Sequence, residues 1–379
     1  MTVMARCMWI GLLGLSLALR ANSSPDISEG ISLFTSGNCL QAEQYFQRQV
    51  QQCPANHRAY FFLGKIFFQQ QEYRKALQMF RKAVKYDDHN SEYQHWLGKT
   101  YARLGLHTPF FKKPFLARKI KKHFIRAIEL DATNTGARQD LVVFYMLAPG
   151  ILGGSKTRAL EQADILWHQN HWEGYKALGR IYFLEKSYSK AEDILTRAIG
   201  EYPREHQFYD DLGAIYLRED KFYQAESLYT AARDKMPDQR LHFRIRMGLL
   251  YQETKRLEKA FSIFDSLMAE HPEQPAAYLA YANAALMSGE HLLSARLALE
   301  KFSATGSNQN CRQKVELLSA LAQIYVQLKD FPAAKEKILT LLKFSPNDKE
   351  GKQLLDVVKK QLKKFDKVIS QPDQVSRVK

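Results

Sequence analysis

The chain has 379 residues, 45% of them apolar and 12% aromatic, which is ample for a large buried core. With 19 glycines and 12 prolines it is too poor in both to be a collagen-like or low-complexity polymer. The formal charge of +15 suits an anionic partner, and equally a basic solvated surface with no such partner.

Residues 1–22 read as an export signal: Arg6 provides the positive flank, residues 7–19 form a charge-free apolar core, and small residues follow from Ala21 to Ser24. Thirteen residues at about 1.5 Å each span about 20 Å as a helix, short of a bilayer core of about 30 Å. The leader is therefore expected to be cleaved, leaving an exported, periplasmic or secreted chain that is soluble after cleavage. Cys39, Cys53 and Cys311 then remain, an odd number with no disulfide framework or metal-ligand spacing in view. Cys39 and Cys53 fall on one predicted helix, about 21 Å apart, and should not pair with each other.

From residue 23 onward the dominant signal is a repeat. In residues 175–182, Tyr175, Leu178, Gly179 and Tyr182 mark one helical face; Ala191, Leu195 and Ala198 mark a second helix, and Pro203 ends it. Thirty-four residues on, the set returns as Tyr209, Leu212, Gly213, Tyr216, Ala225, Tyr229, Ala232 and Pro237. It recurs as Gly248, Tyr251, Ala260, Phe264 and Pro272, and upstream as Tyr60, Leu63, Gly64, Phe67, Ala76, Phe80 and Ala83. A mid-helix glycine costs about 1 kcal/mol against alanine, so its recurrence implies a gain from close helix–helix approach.

Units begin near residues 23, 57, 91, 135, 172, 206, 241, 275 and 315; the one near 275 carries Tyr278, Tyr281, Ala282 and Ala285 but a weak second-helix pattern. Insertions interrupt the array near 106–116 and 148–156. Residues 349–367 form an amphipathic capping helix with Leu354, Leu355, Val358, Leu362 and Phe365 on one stripe, and 368–379 read as a frayed tail.

These slots resemble the tetratricopeptide repeat, with its W-x2-L-G-x2-Y…A-x3-F…P pattern. The resemblance implies an all-α, right-handed superhelical solenoid of about nine helix-turn-helix units over residues 23–348. The insertion at 148–157 is similar to one in exported bacterial proteins of this class. The family's activity is binding of a protein or peptide in a concave groove, not catalysis, with no cofactor.

Carrying the family's groove slots over gives Arg58, Phe61, Lys65 and Phe68, then His95, Lys99 and Arg103. Next come Met146 and Leu147, then Lys176, Arg180 and Phe183, and Arg218. The last units supply Ile245, Leu249, Leu279, Asn283, Leu286 and Gln323. This implies a basic and aromatic groove for an extended or helical segment with acidic residues at one end. A chaperone-tail clamp is not implied, because Phe61 and Lys65 stand where that subtype has lysine and asparagine. The partner expected is a protein or peptide involved in envelope or secretion assembly; nucleic acid is not expected.

Three further patterns carry chemistry. Gly150, Ser155, Lys156 and Thr157 approach a phosphate-binding loop after residues 141–146, but Ser155 stands at the second glycine, and a glycine turn with Ser155 capping a helix is the simpler reading. His168 and His171, with Asp164 and Glu173, could hold zinc, though solvated histidines at a helix end are commoner. The basic run Lys112, Lys113, Arg118, Lys119, Lys121, Lys122 and Arg126, interleaved with Phe110, Phe111 and Phe115, suits an anionic membrane surface or polyanion. The expectation is that these phenylalanines pack on the solenoid. No catalytic constellation is present in the sequence.

Overall fold

The computed structural model describes residues 26–106, 108–304, 310–346 and 348–369, with the backbone alone for Phe110 and residues 365–369. The leader expected over 1–22 and most of the tail expected over 368–379 lie outside the described residues. Among these residues the secondary structure is helical throughout, with no helix long and apolar enough to cross a membrane.

The helices form nine consecutive antiparallel pairs. They are α1 (Ser28–Thr35) with α2 (Cys39–Gln52), α3 (His57–Gln69) with α4 (Tyr73–Tyr86), and α5 (Ser91–Leu106) with α6 (Lys113–Leu130). The middle of the array is α7 (Thr135–Leu147) with α8 (Lys156–Gln169), α9 (His171–Leu184) with α10 (Tyr188–Glu201), and α11 (His206–Arg218) with α12 (Phe222–Lys235). The last pairs are α13 (Arg240–Glu253) with α14 (Leu257–Glu270), α15 (Pro275–Ser288) with α16 (Leu292–Ala304), and α17 (Cys311–Gln327) with α18 (Phe331–Phe344); α19 (Lys349–Ile369) closes the array. Each helix packs mainly on its neighbours in sequence, as a solenoid requires.

The recurrent glycine is where the two helices of a pair meet. A Cβ built on Gly64 would lie 2.5 Å from the Phe80 ring, and one on Gly248 2.4 Å from Phe264. At Gly213 the obstacle is the Tyr229 hydroxyl, 2.0 Å away. No side chain fits there without moving a buried ring. On the facing helix Ala76, Ala191, Ala225 and Ala260 are fully buried, so small residues on both sides set the approach.

The turn inside a pair also repeats. Gln71, Lys186, Asp220, Lys255 and Lys329 all take a left-handed conformation at the same place, where the first pair has Gly37. The following N–H then reaches back five residues: Glu72 to the Phe67 carbonyl, Lys221 to Tyr216, Arg256 to Tyr251, at 2.8 Å each. This closure satisfies helix-end carbonyls that would otherwise be unpaired.

Adjacent pairs are tied by a second recurring contact. The Tyr216 hydroxyl donates to Glu192 at 3.0 Å, Tyr251 to Glu226 at 2.6 Å, and Tyr325 to Glu300. Lys221 joins Glu192 at 3.0 Å and Arg256 joins Glu226 at 2.8 Å, completing tyrosine–carboxylate–cation triads between consecutive units.

The eighth unit corrects an expectation. Its second helix is regular over Leu292–Ala304, with Ala295, Leu299 and Phe302 buried at i, i+4 and i+7. Leucine at the aromatic slot weakened the pattern without weakening the packing. The first insertion is mostly absorbed into longer helices, with α6 beginning at Lys113 and Pro114 in its first turn.

The cysteines provide the larger correction. Cys39, at the start of α2, is bonded to Cys311, at the start of α17, across 272 residues with a Cα–Cα distance of 5.4 Å. Cys53 is free, so the rejected Cys39–Cys53 pairing is indeed absent. α17 packs on α3, and Cys311 joins the apolar core of the first units. The array therefore bends far enough for its ninth unit to meet its first two. Spacing in sequence carries no sign of that encounter.

Candidate ligand groove

The first helices of successive pairs share a face, and a pocket of about 340 Å³ opens on it between α1, α3 and α5. Ile31, Arg58, Phe62, Lys65, Glu92 and Tyr93 are among its walls. Lys65 is the centre of this site. Its Nζ lies 5.3–5.8 Å from the ring centroids of Phe34, Phe61, Phe62 and Trp96, and 4.0 Å from Glu92. Four aromatic faces and one carboxylate thus hold a half-buried ammonium in place. Trp96 serves a second cation, Lys99, at 4.8 Å.

The groove residues read from the sequence divide into three kinds. Arg58, Arg103, Arg180 and Arg218 are exposed. Lys65, Phe68, Lys99, Lys176 and Phe183 are half-buried. Phe68 packs edge-on against Trp96 at 5.2 Å, and Lys176 lies 4.8 Å over Trp172 and 3.9 Å from Glu173. Phe61 departs from expectation. Only 4% of it is exposed, because Tyr93 covers it at 4.7 Å and Trp96 lies edge-on at 6.4 Å. It forms the floor of the pocket and is not a free anchor.

His95 is likewise engaged, its Nε2 lying 2.7 Å from Asp140. The face is therefore less uniformly basic than its lysines and arginines suggested. Asp211, beside Arg180, is pushed up by burial against the pull of that guanidinium. Further along, Met146 is half-buried and Leu147 exposed, Ile245, Leu249, Leu279 and Leu286 pack partly into the core, Asn283 is exposed, and the Gln323 amide reaches Ser319 at 3.4 Å.

The alternative chemistries separate cleanly. Residues 141–146 are helical, Ser155 accepts the Arg158 N–H at 3.3 Å as an N-cap, and Lys156 pairs with Glu185. A Cβ on Gly154 would fall 1.7 Å from the Ala148 carbonyl oxygen, so this glycine serves a tight turn. The cluster around His168 and His171 does not converge. His168 bonds the Asp164 carbonyl at 2.9 Å, His171 stacks on Trp167 at 4.7 Å, and Glu173 accepts from Gln139 at 2.8 Å.

The basic run does not pack away as expected. Phe111 is 74% and Phe115 59% exposed, each with a lysine over its ring, Lys112 and Lys119 respectively. Lys113, Arg118 and Lys122 are exposed beside them, while Lys121 turns inward over Tyr145 at 5.7 Å. One group escaped the sequence reading altogether: His206, Asp210, His242 and Arg246 meet on α11 and α13. The His-x3-Asp spacing on α11 was its only local trace.

Nine antiparallel helix pairs on a period near 34 residues, with glycine against an aromatic ring inside five of them, define an array of tetratricopeptide type. Residues 64–105 match the family model described as TPR repeat, and residues 245–273 the one described as tetratricopeptide repeat. Among solved structures the chain is similar to yeast Tom70 at 14% identity, covering 96% of this chain and 99% of that one with a TM-score of 0.43. It is similar also to a TPR protein from Thermus thermophilus (14% identity, 50% of this chain and 97% of that one, TM-score 0.42) and to one from Parabacteroides merdae (14%, 88% and 96%, 0.34). None of these likenesses bears on what this chain binds. No curated protein matches the sequence.

Proposed function

We propose that this chain is a non-catalytic scaffold that holds a protein or peptide segment along the face formed by its first helices, with carboxylates of that segment engaging the end nearest α3 and α5. The observation that carries this reading is the pocket between α1, α3 and α5, where Arg58 is exposed beside a fixed Lys65 and a floor of aromatic rings. A guanidinium free to form paired hydrogen bonds next to apolar walls suits a carboxylate followed by an apolar side chain. Replacing Lys65, Lys99 and Arg180 by glutamate, followed by comparison of captured partners with the unmodified chain, tests it. Loss of the partner set is expected; an unchanged set rejects this groove.

The proposal extends to a setting outside the reducing cytosol, in a bacterial envelope or secreted. The Cys39–Cys311 bond supports that setting, because structural disulfides persist in oxidising compartments. Sequencing the N-terminus of the mature protein, expected near residue 23, checks it.

A second reading is favoured by the exposed Phe111 and Phe115 among lysines: attachment to an anionic membrane surface by an aromatic tip and a basic stripe. Co-sedimentation with phosphatidylglycerol vesicles should fall with added salt and with a Phe111→Ser, Phe115→Ser double variant. Equal sedimentation of the variant would remove this reading and leave the groove untouched.

A further inference from the structure

His206 and Asp210 lie one turn apart on α11, and His242 faces them from α13, the first helix of the next unit. Asp210 is three residues before Gly213 and His242 six before Gly248, the slots that Phe61 and Arg58 fill before Gly64. Both therefore stand on the groove face, well away from the pocket around Lys65.

The His242 Nε2 is 3.0 and 3.1 Å from the two Asp210 carboxylate oxygens, and the His206 Nδ1 is 3.7 Å from one of them. Ligand atoms of the three residues all lie within 4.8 Å of one another. An ion bound tetrahedrally at about 2.0–2.2 Å from nitrogen and oxygen separates its ligands by roughly 3.3–3.6 Å, near the 3.0 Å between His242 and Asp210, while the other pairs stay within 4.8 Å. Arg246 donates to one Asp210 oxygen at 2.8 Å, which leaves the other, nearer His242, for an ion and fixes the carboxylate from behind. Asp210 is largely covered and held on both oxygens by His242 and Arg246.

We propose that His206, Asp210 and His242 form a site for a borderline divalent transition ion such as Zn²⁺, with the fourth position open to the groove. Two imidazoles and one carboxylate suit Zn²⁺, Ni²⁺ or Cu²⁺ and disfavour Mg²⁺ and Ca²⁺, which prefer oxygen alone. The competing arrangement is an ion-pair network of the same side chains that needs no ion. The site would couple two units and offer the groove a Lewis-acidic point for a carboxylate or imidazole of the bound segment.

The test uses the full mature chain without a histidine tag, titrated with Zn²⁺ and separately Co²⁺ in calorimetry and visible absorption. One equivalent should bind at micromolar concentration, with Co²⁺ giving the intense bands of tetrahedral coordination. His242→Ala and the half-exposed His206→Asn should each weaken binding at least tenfold, with helical circular dichroism unchanged. A Glu258→Gln, His291→Ala variant of the exposed Glu258–Glu290–His291 group should bind as the parent does. The proposal is overturned if His206→Asn leaves affinity within twofold, if only the Glu258 variant loses the ion, or if Mg²⁺ competes at equal concentration.

Discussion

The Ser345 hydroxyl donates a hydrogen bond to the Gln70 carbonyl at 2.8 Å, although 275 residues separate the two. Both residues are buried, so the end of the ninth unit is sealed against the end of α3. Together with the Cys39–Cys311 bond this makes a two-point contact between the ninth unit and the first two. A cross-link closing a loop of that length removes unfolded-state entropy equivalent to about 5 kcal/mol. A Cys39→Ser, Cys311→Ser variant, or the reduced chain, should therefore unfold at distinctly lower urea concentration. An unchanged midpoint would show that the ends are held without the bond.

Glycine substitutions should divide by environment. Gly64→Ala gains about 1 kcal/mol of helix propensity but drives a methyl into the Phe80 ring, for a net loss of about 2 kcal/mol. Gly200, also helical, has nothing within 4 Å of an added Cβ, and Gly200→Ala should stabilise by about 0.5–1 kcal/mol. Thermal midpoints of the two variants should move in opposite directions.

The left-handed turn residues offer the converse exchange. A residue with a side chain in that conformation costs about 1–2 kcal/mol, part of which glycine recovers. Lys255→Gly, at φ 57°, should raise the urea midpoint slightly, and Lys255→Val should lower it clearly. A gain with valine would remove the strain argument.

Acid sensitivity should centre on His123. It stacks on Tyr101, and its Nδ1–H donates to the Gln94 side-chain oxygen at 2.8 Å. Burial, then Lys122, Lys119 and Arg81, push it from 6.5 down to about 4. The folded histidine stays neutral where the unfolded one has taken a proton. Stability from this group is thus complete above about pH 6.5 and is lost as pH falls toward 4, by at most about 3 kcal/mol. A His123→Gln variant should lose less stability than the parent between pH 7 and 5.

The helix pairs, their glycines and their alanines were legible because each unit repeats its own short-range contacts. The fate of Phe61 was not. Its slot faces the groove in the family pattern, but Tyr93 and Trp96 on the next unit are large enough to close over it. The exposure of Phe111 and Phe115 was misjudged for the opposite reason, since no neighbouring side chain closes over them. The meeting of Cys39 with Cys311 depends on small rotations summed over all nine units, which no window of sequence contains. His242 lies on the unit after Asp210, 32 residues away, so their cluster too had only half its signal in one helix.

The Cys39–Cys311 bond also bears on how the molecule is made. A chain made from its N-terminus carries Cys39 and Cys53 long before Cys311 exists, so a non-native pair of thiols is present first. Only a chain that has reached its ninth unit can acquire the native cross-link, and only if every intervening turn has added its share of curvature. The oxidised form is in that sense a certificate of finished assembly, readable on a non-reducing gel.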